Sequence, residues 1–161
     1  MNGQRKPRQP RWPANPYAHA STVAKIRPFN EEEAAELINE ARMAWHHLTH
    51  GTGTEAHFDT LATALNANLP MSERVGQAAV DVAIRAQLAA VSMQLRYHAQ
   101  GRFGADAAAL ADIPAGLDLY AQFIGFSNPL QLVNAVTESW QRIREGDVLV
   151  PARPVASGLQ A

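Results

Sequence analysis

At 161 residues, 47% hydrophobic but only 7% aromatic and without cysteine, the chain suits one domain and excludes disulfides, thiolate metal sites and a cysteine nucleophile. The net charge of −1 conceals a division: residues 1–30 carry Arg5, Lys6, Arg8, Arg11, Lys25 and Arg27 with no acid, while the rest sets eight Arg against fifteen Asp and Glu, a balance of minus seven. A basic arm on an acidic body calls for a polyanionic or acidic partner, because Coulomb attraction acts locally whatever the average charge.

Residues 1–28 read as a disordered basic arm. Pro7, Pro10, Pro13 and Pro16 alternate there with Arg, Lys and Gln, a composition that buries little apolar area. These prolines also break up the run that a secretory signal would need, and no uninterrupted apolar stretch nears the roughly 20 residues of a membrane span. The expectation is a cytoplasmic protein with no membrane association.

A helical domain is expected over 29–146. Asn30 with Glu33 makes a capping box opening a helix over about 31–50, whose inward face is Ala34, Leu37, Ile38, Ala41, Trp45 and Leu48. Gly51 and Gly53 stop it. Thr52 with Glu55 repeats the capping pattern before a helix over about 54–68, and Pro70 and Ser72 mark the next turn. A long helix over about 72–99 follows, with Val75, Ala79, Val82, Ala86, Ala90, Met93 and Tyr97 on one side and Ile84, Leu88, Val91 and Leu95 on the other. Two apolar stripes require two partners. The long helix is therefore the centre of a bundle, or its second stripe, Ile84, Leu88, Val91 and Leu95, is the seam of a homodimer.

Past a turn at Gly101 to Gly104, a helix over 105–113 is interrupted or kinked by Pro114. Beyond it, Leu117, Tyr120, Ala121 and Ile124 form one stripe and Leu119, Phe123 and Phe126 another. Ser127 is the expected cap of the last helix, in which Leu130, Val133, Thr137, Trp140 and Ile143 face the core, and Gly146 ends it. Residues 147–161, with Pro151 and Pro154, read as a flexible tail. The whole is an all-α, up-and-down bundle of about five helices.

Few residues suggest chemistry. His46 and His50 lie one turn apart and could share a metal with His57, but the Glu of a zinc-protease helix is absent, and histidines at a helix C-terminus also suit its negative end. Gly51, Thr52, Gly53 and Thr54 follow a helix rather than a strand and precede no Lys, so they read as a junction and not a phosphate loop. No nucleophile-elbow pattern occurs. Asp81 and Arg85 stand four apart, in the order that supports a helix. No catalytic residue, cofactor or metal is assigned. The arm is the better candidate: Arg5, Lys6, Arg8 and Arg11 can neutralise phosphates while Trp12 and Tyr17 stack on bases or pack on the body. An acidic protein surface, or the chain's own acidic first helix, would serve the same charges.

The order of elements resembles small helical proteins of prophages and integrative elements of beta- and gammaproteobacteria. The resemblance lies in a Pro- and Arg-rich arm ending in Asn15-Pro16-Tyr17-Ala18-His19-Ala20, a helix, a Gly-Thr turn with Thr54-Glu55 opening the second helix, a long Ala-rich helix and a closing helical pair. No activity comes with it. It implies a mobile-element accessory protein: a non-enzymatic regulator contacting nucleic acid or a nucleoprotein through the arm. The alternative is an inhibitor or regulator of a host protein acting through the helical body.

Overall fold

The computed structural model describes residues 26–147 and 149. Five α-helices and no strand occur among them, so the all-α bundle is what this chain forms. They are α1 (Glu31–Thr49), α2 (Glu55–Ser72), α3 (Gln77–Gln100), α4 (Ala107–Phe126) and α5 (Pro129–Arg144).

Each start has a local cause. Asn30 accepts from the Glu33 amide at 2.8 Å, and the Glu33 carboxylate accepts from the Asn30 amide at 3.0 Å. Arg27 grips the same carboxylate with both arms of its guanidinium and, chiefly by that hydrogen bonding, lowers its pKa. The cap of α2 is Thr54, not the expected Thr52: the Thr54 hydroxyl accepts from the His57 amide and His57 Nδ1 accepts from the Thr54 amide. Thr52 belongs to the end of α1, because its amide bonds the His47 carbonyl at 3.1 Å and its hydroxyl lies 2.8 Å from His47 Nδ1. Likewise Ser127 is the buried C-cap of α4, while Asn128 and Gln131 form the capping box of α5.

Both internal prolines sit within helices rather than ending them. Pro70 lacks the N–H that the Asn66 carbonyl would accept in a regular helix. The Ser139 hydroxyl of α5 donates to that carbonyl instead, at 2.7 Å, and α2 runs on to Ser72. Pro114 similarly deprives the carbonyl of Leu110, an exposed residue, and α4 is continuous through it. The long helix begins later than expected, at Gln77, since residues 73–76 make a turn closed by Gly76, whose φ of 147° only glycine adopts freely. Val75 is thus in the turn and exposed.

The central element is α2, which packs against each of the other four helices. This corrects the expectation that the long helix is central. α4 lies against α1, α2 and α3; α5 rests on α2. The reason is the size of the facing side chains. α3 turns Ala83, Ala86, Ala89, Ala90 and Met93 inward, which brings it close to its neighbours, whereas α2 buries Leu61, Leu65, Ala67, Asn68 and Met71 around most of its circumference. At the tightest point a Cβ on Gly116 of α4 would come within 2.5 Å of the Ala86 Cβ and 2.9 Å of Leu65 Cδ2. Beside it, the buried Asn68 amide donates to the Gly116 carbonyl at 2.8 Å.

One end of the bundle is closed by rings: Phe103, from the α3–α4 turn, stacks on Tyr97 and on Phe58, and the Tyr97 hydroxyl donates to Glu55 at 2.9 Å. Arg96 pairs with Asp106, the N-cap of α4, lowering that carboxyl's pKa. Arg85 reaches Asp112 on α4, while Asp81 accepts from Gln77, so the expected Asp81–Arg85 pair is replaced by an interhelical one. Among the described residues α3 is the helix long and apolar enough to cross a membrane by length and composition; here it forms one side of the bundle.

Two outcomes follow from this packing. Gly116→Ala is expected to destabilise the fold by about 1–3 kcal/mol, the overpacking cost exceeding the gain in helix propensity, and adding Ala86→Gly should recover part of it in urea unfolding. Burial, reinforced by the negative charge of Glu40, pushes the Tyr120 hydroxyl up to about 12. Because the unfolded tyrosine ionises first, at about 10, the folded state should lose stability between about pH 10 and 12, and Tyr120→Phe should remove that loss.

Candidate interaction surfaces

α5 packs chiefly on α2, and a trough remains on each side of it. One, about 470 Å³, runs between α3 and α5 over the floor of α2, with Phe58, Leu69 and Pro70 below and Val91, Leu95 and Ile143 on the walls. The other, about 350 Å³, lies between α1 and α5, with Tyr120 beneath and Leu37, Leu132 and Val136 beside it. Asn66, Gln87 and Gln94 give the first trough a polar edge.

The sequence places the inner face of α5 wrongly. Ala135 and Ser139 are the buried residues, flanked by half-buried Leu132 and Val136. Leu130, Val133, Thr137, Trp140 and Ile143, expected to face the core, are exposed, with Val133 at 59% and Trp140 at 55%. The helix is turned by roughly 130 degrees from the expected setting, at 100 degrees per residue. The cause is polar and steric together: Ser139 must reach the Asn66 carbonyl, and small side chains at 135 and 139 let α5 approach closely enough. Leu130, Val133 and Trp140 consequently form an apolar strip facing away from the bundle, with Phe126 exposed at the end of α4. The signal that could have found the contact face was the Ala135 and Ser139 pair four residues apart.

The second stripe of α3 is not buried as a core would be. Ile84, Leu88 and Val91 are half-buried, and Leu95 is 57% exposed; Val91 and Leu95 form a wall of the first trough. The C-terminal half of the stripe, Val91 and Leu95, therefore borders an opening.

The histidines meet, though not as a shared metal site. His46 and His50 stack at 3.9 Å between ring centroids, and His47 stacks on His57 at 4.4 Å. His57 is thus beside His47 and not beside the His46 and His50 pair. His57 Nδ1 is the acceptor of the α2 capping box and His50 Nδ1 lies 2.8 Å from the His46 carbonyl, so these rings are engaged in ending one helix and starting the next. Among the described residues no three His, Cys, Asp or Glu are placed to hold one metal ion.

Much of the positive charge on the body is paired. Arg42 meets Asp118, Arg74 and Arg142 meet Glu138, and Arg142 also binds Glu73 with both guanidinium nitrogens, at 2.8 and 2.7 Å. This last pair ties the end of α5 to the end of α2. Its hydrogen bonds lower the Glu73 carboxyl's pKa and raise that of Arg142. The arm residues Arg5, Lys6, Arg8, Arg11, Trp12 and Tyr17 lie outside the described residues.

Compared with known protein families, curated proteins and solved structures, the chain matches none of them.

The Glu73 and Arg142 pair gives a pH-dependent expectation. Folding lowers the proton affinity of Glu73, so its contribution is complete above the ordinary carboxylate value of about 4.3 and is lost as pH falls through the lower folded value. Glu73 is solvent-screened, so Arg142→Gln should cost on the order of 1 kcal/mol at pH 7. In urea titrations the gap between wild type and variant should narrow steadily below about pH 4, where the carboxylates of both chains take up protons.

Proposed function

We propose that this is a non-enzymatic binding protein whose helical body holds a protein partner on the outer face of α5. The observation that carries this reading is the strip of Leu130, Val133 and Trp140, turned to solvent although the helix has smaller residues facing inward. An aromatic anchor among aliphatic neighbours, bordered by Glu138, Gln141 and Arg144, has the composition of an interface centre with a polar rim. The complementary partner surface is apolar and protein-like. The polar clusters of the body are already engaged in holding the fold: imidazoles cap and stack, carboxylates pair with Arg, and Asn68 and Ser139 satisfy backbone carbonyls. That pattern supports a regulator or inhibitor in preference to a catalyst.

A second role is assigned to the arm. Its bases at 5, 6, 8, 11 and 25 have no acidic neighbour in the first thirty residues, whereas the Arg residues at 42, 74, 85, 96 and 142 of the body meet carboxylates. Attraction to a nucleic acid or nucleoprotein would therefore come through the arm, as tethering without sequence reading. In the mobile-element setting that the resemblance implies, the body selects a protein and the arm keeps the pair near nucleic acid.

Val133→Glu with Trp140→Glu should weaken capture of the cellular partner at least tenfold while leaving unfolding midpoints nearly unchanged, since both side chains are largely exposed. Equal capture by wild type and variant would remove the α5 reading. Deletion through Pro16 should leave protein capture intact and abolish the steep salt dependence of DNA retention.

A further inference from the structure

One side-chain amide is buried with only its nitrogen engaged. Gln87, 9% exposed, stands on α3 beside Ala86, Ala89 and Ala90 and lines the first trough. Its Nε2 donates to the Leu65 carbonyl at 3.4 Å and to Asn66 Oδ1 at 3.3 Å. A backbone carbonyl only accepts, so the end of Gln87 that meets it is the nitrogen, and Asn66 must offer its oxygen to that same nitrogen. Both amides are thereby oriented. Gln87 Oε1 and Asn66 Nδ2 are left over, an acceptor and a donor one hydrogen bond apart, and neither has a partner among the described residues. Placing a polar atom in an apolar surrounding is unfavourable until a hydrogen bond offsets it.

We propose that the first trough binds a neutral amphiphilic small molecule whose head is a primary carboxamide or lactam and whose tail is a medium-length alkyl chain. Such a head carries N–H and C=O on one edge and answers Gln87 Oε1 and Asn66 Nδ2 together. A hydroxyl has a single polar atom for the two. A carboxylate has acceptors alone and sets its charge against Gln87 Oε1 and the Asp147 carboxylate on the rim. Arg142, which also lines the trough, does not offset this, because Glu73 and Glu138 already hold its guanidinium. From Gln87 the α3 wall runs about 12 Å past Val91 to Leu95, with Phe58 below, and an alkyl chain lies along it. The volume of about 470 Å³, largely apolar with a few polar groups at one place, matches small-molecule sites of roughly 300–1,000 Å³. The inference goes beyond the protein-binding role of the outer face of α5, whose Val133 and Trp140 do not line this trough.

The probe is octanamide, added to the full chain and followed by methyl and side-chain amide resonances, with octanol and octanoate for comparison. Saturable shifts are expected at Val91, Leu95 and Ile143 and at the amides of Asn66 and Gln87, while Leu37 and Leu132 in the other trough stay in place. Octanamide should bind about tenfold more tightly than octanol, the scale of one hydrogen bond, and octanoate more weakly than either. Gln87→Met keeps the length of the side chain without its oxygen and should bring octanamide to the affinity of octanol. Leu95→Glu alters a wall position that is 57% exposed, so it should weaken octanamide about fivefold or more while the unfolding midpoint holds, even if Gln87→Met does not fold. Val133→Glu with Trp140→Glu should bind octanamide as the wild type does, which keeps the two sites distinguishable. Absence of saturable shifts up to the solubility of octanamide, equal affinity for octanamide and octanol, or an amide preference retained by Gln87→Met would each overturn the proposal. Shifts at the same methyls on raising the protein concentration without probe would also overturn it, by giving the trough to a second copy.

Discussion

The close crossing at Gly116 is the constraint on which the architecture depends. Because Gly116 has no Cβ, α4 meets Ala86 of α3 and Leu65 of α2 at distances that no Cβ tolerates, and three helices are drawn together around one point. Asn68 adds a directional element there, since its buried amide finds the Gly116 carbonyl. A polar side chain that is fully buried must be hydrogen-bonded or it costs stability, so this bond selects the register of α2 against α4 as well as helping to hold it. Once α1, α3 and α4 have taken their places around α2, one side of α2 remains uncovered. That side receives α5.

The attachment of α5 differs in kind from the rest. It buries Ala135 and Ser139 rather than large aliphatic residues, and its anchors are the Ser139 bond to Asn66 and the pairing of Arg142 with Glu73. A proline in the central helix creates the first anchor: the carbonyl that Pro70 leaves without its helical donor is the one that Ser139 uses. A helix held this way contributes little to the core, and it is free to carry Trp140 and Val133 outward and to leave troughs on both flanks. Few buried apolar contacts also place α5 at the low-stability end of the molecule, the end from which binding and switching elements are drawn.

The contrast between α1 and α5 explains what could be read from the sequence. For α1, the cap, the acidic first turn and the apolar face are all local features, and helix and face agree with the structure, with Ala41, Ala44 and Leu48 buried. For α5 the same periodicity gives a face but no sign. Leu130, Val133 and Trp140 do share one side; whether that side meets the bundle depends on Asn66, which is more than sixty residues earlier in the sequence. Centrality was hidden for a similar reason. Two stripes on α3 suggested a helix between two layers, yet the helix that touches all others is α2, whose Glu55, Asp59 and Thr63 share one exposed side as the polar residues of any surface helix do. Pro70 misled because a missing donor reads locally as an end, whereas here the Ser139 hydroxyl replaces it.

Charge completes the argument about partners. The body's acidity is not a continuous field, because Asp106, Asp112, Asp118, Glu73 and Glu138 each face an Arg and their charges largely cancel at short range. Of the acids that face no Arg, Glu31, Glu32, Glu36 and Glu40 share α1, and Glu55, Asp59, Asp81, Glu145 and Asp147 are spread over the rest of the body. Arg27, the last base of the amino-terminal basic run, already binds α1 through Glu33. Arg27 thus already has its counter-charge within its own molecule, and a polyanion would have to compete for it. Such competition makes the arm's attraction conditional on a dense partner charge, since a few carboxylates on one helix are a weaker field than a row of phosphates. An isolated acidic patch on another protein offers the arm little that α1 does not. On the proposed reading, the division of charge suits the arm to a nucleic acid and the apolar strip on α5 to a protein.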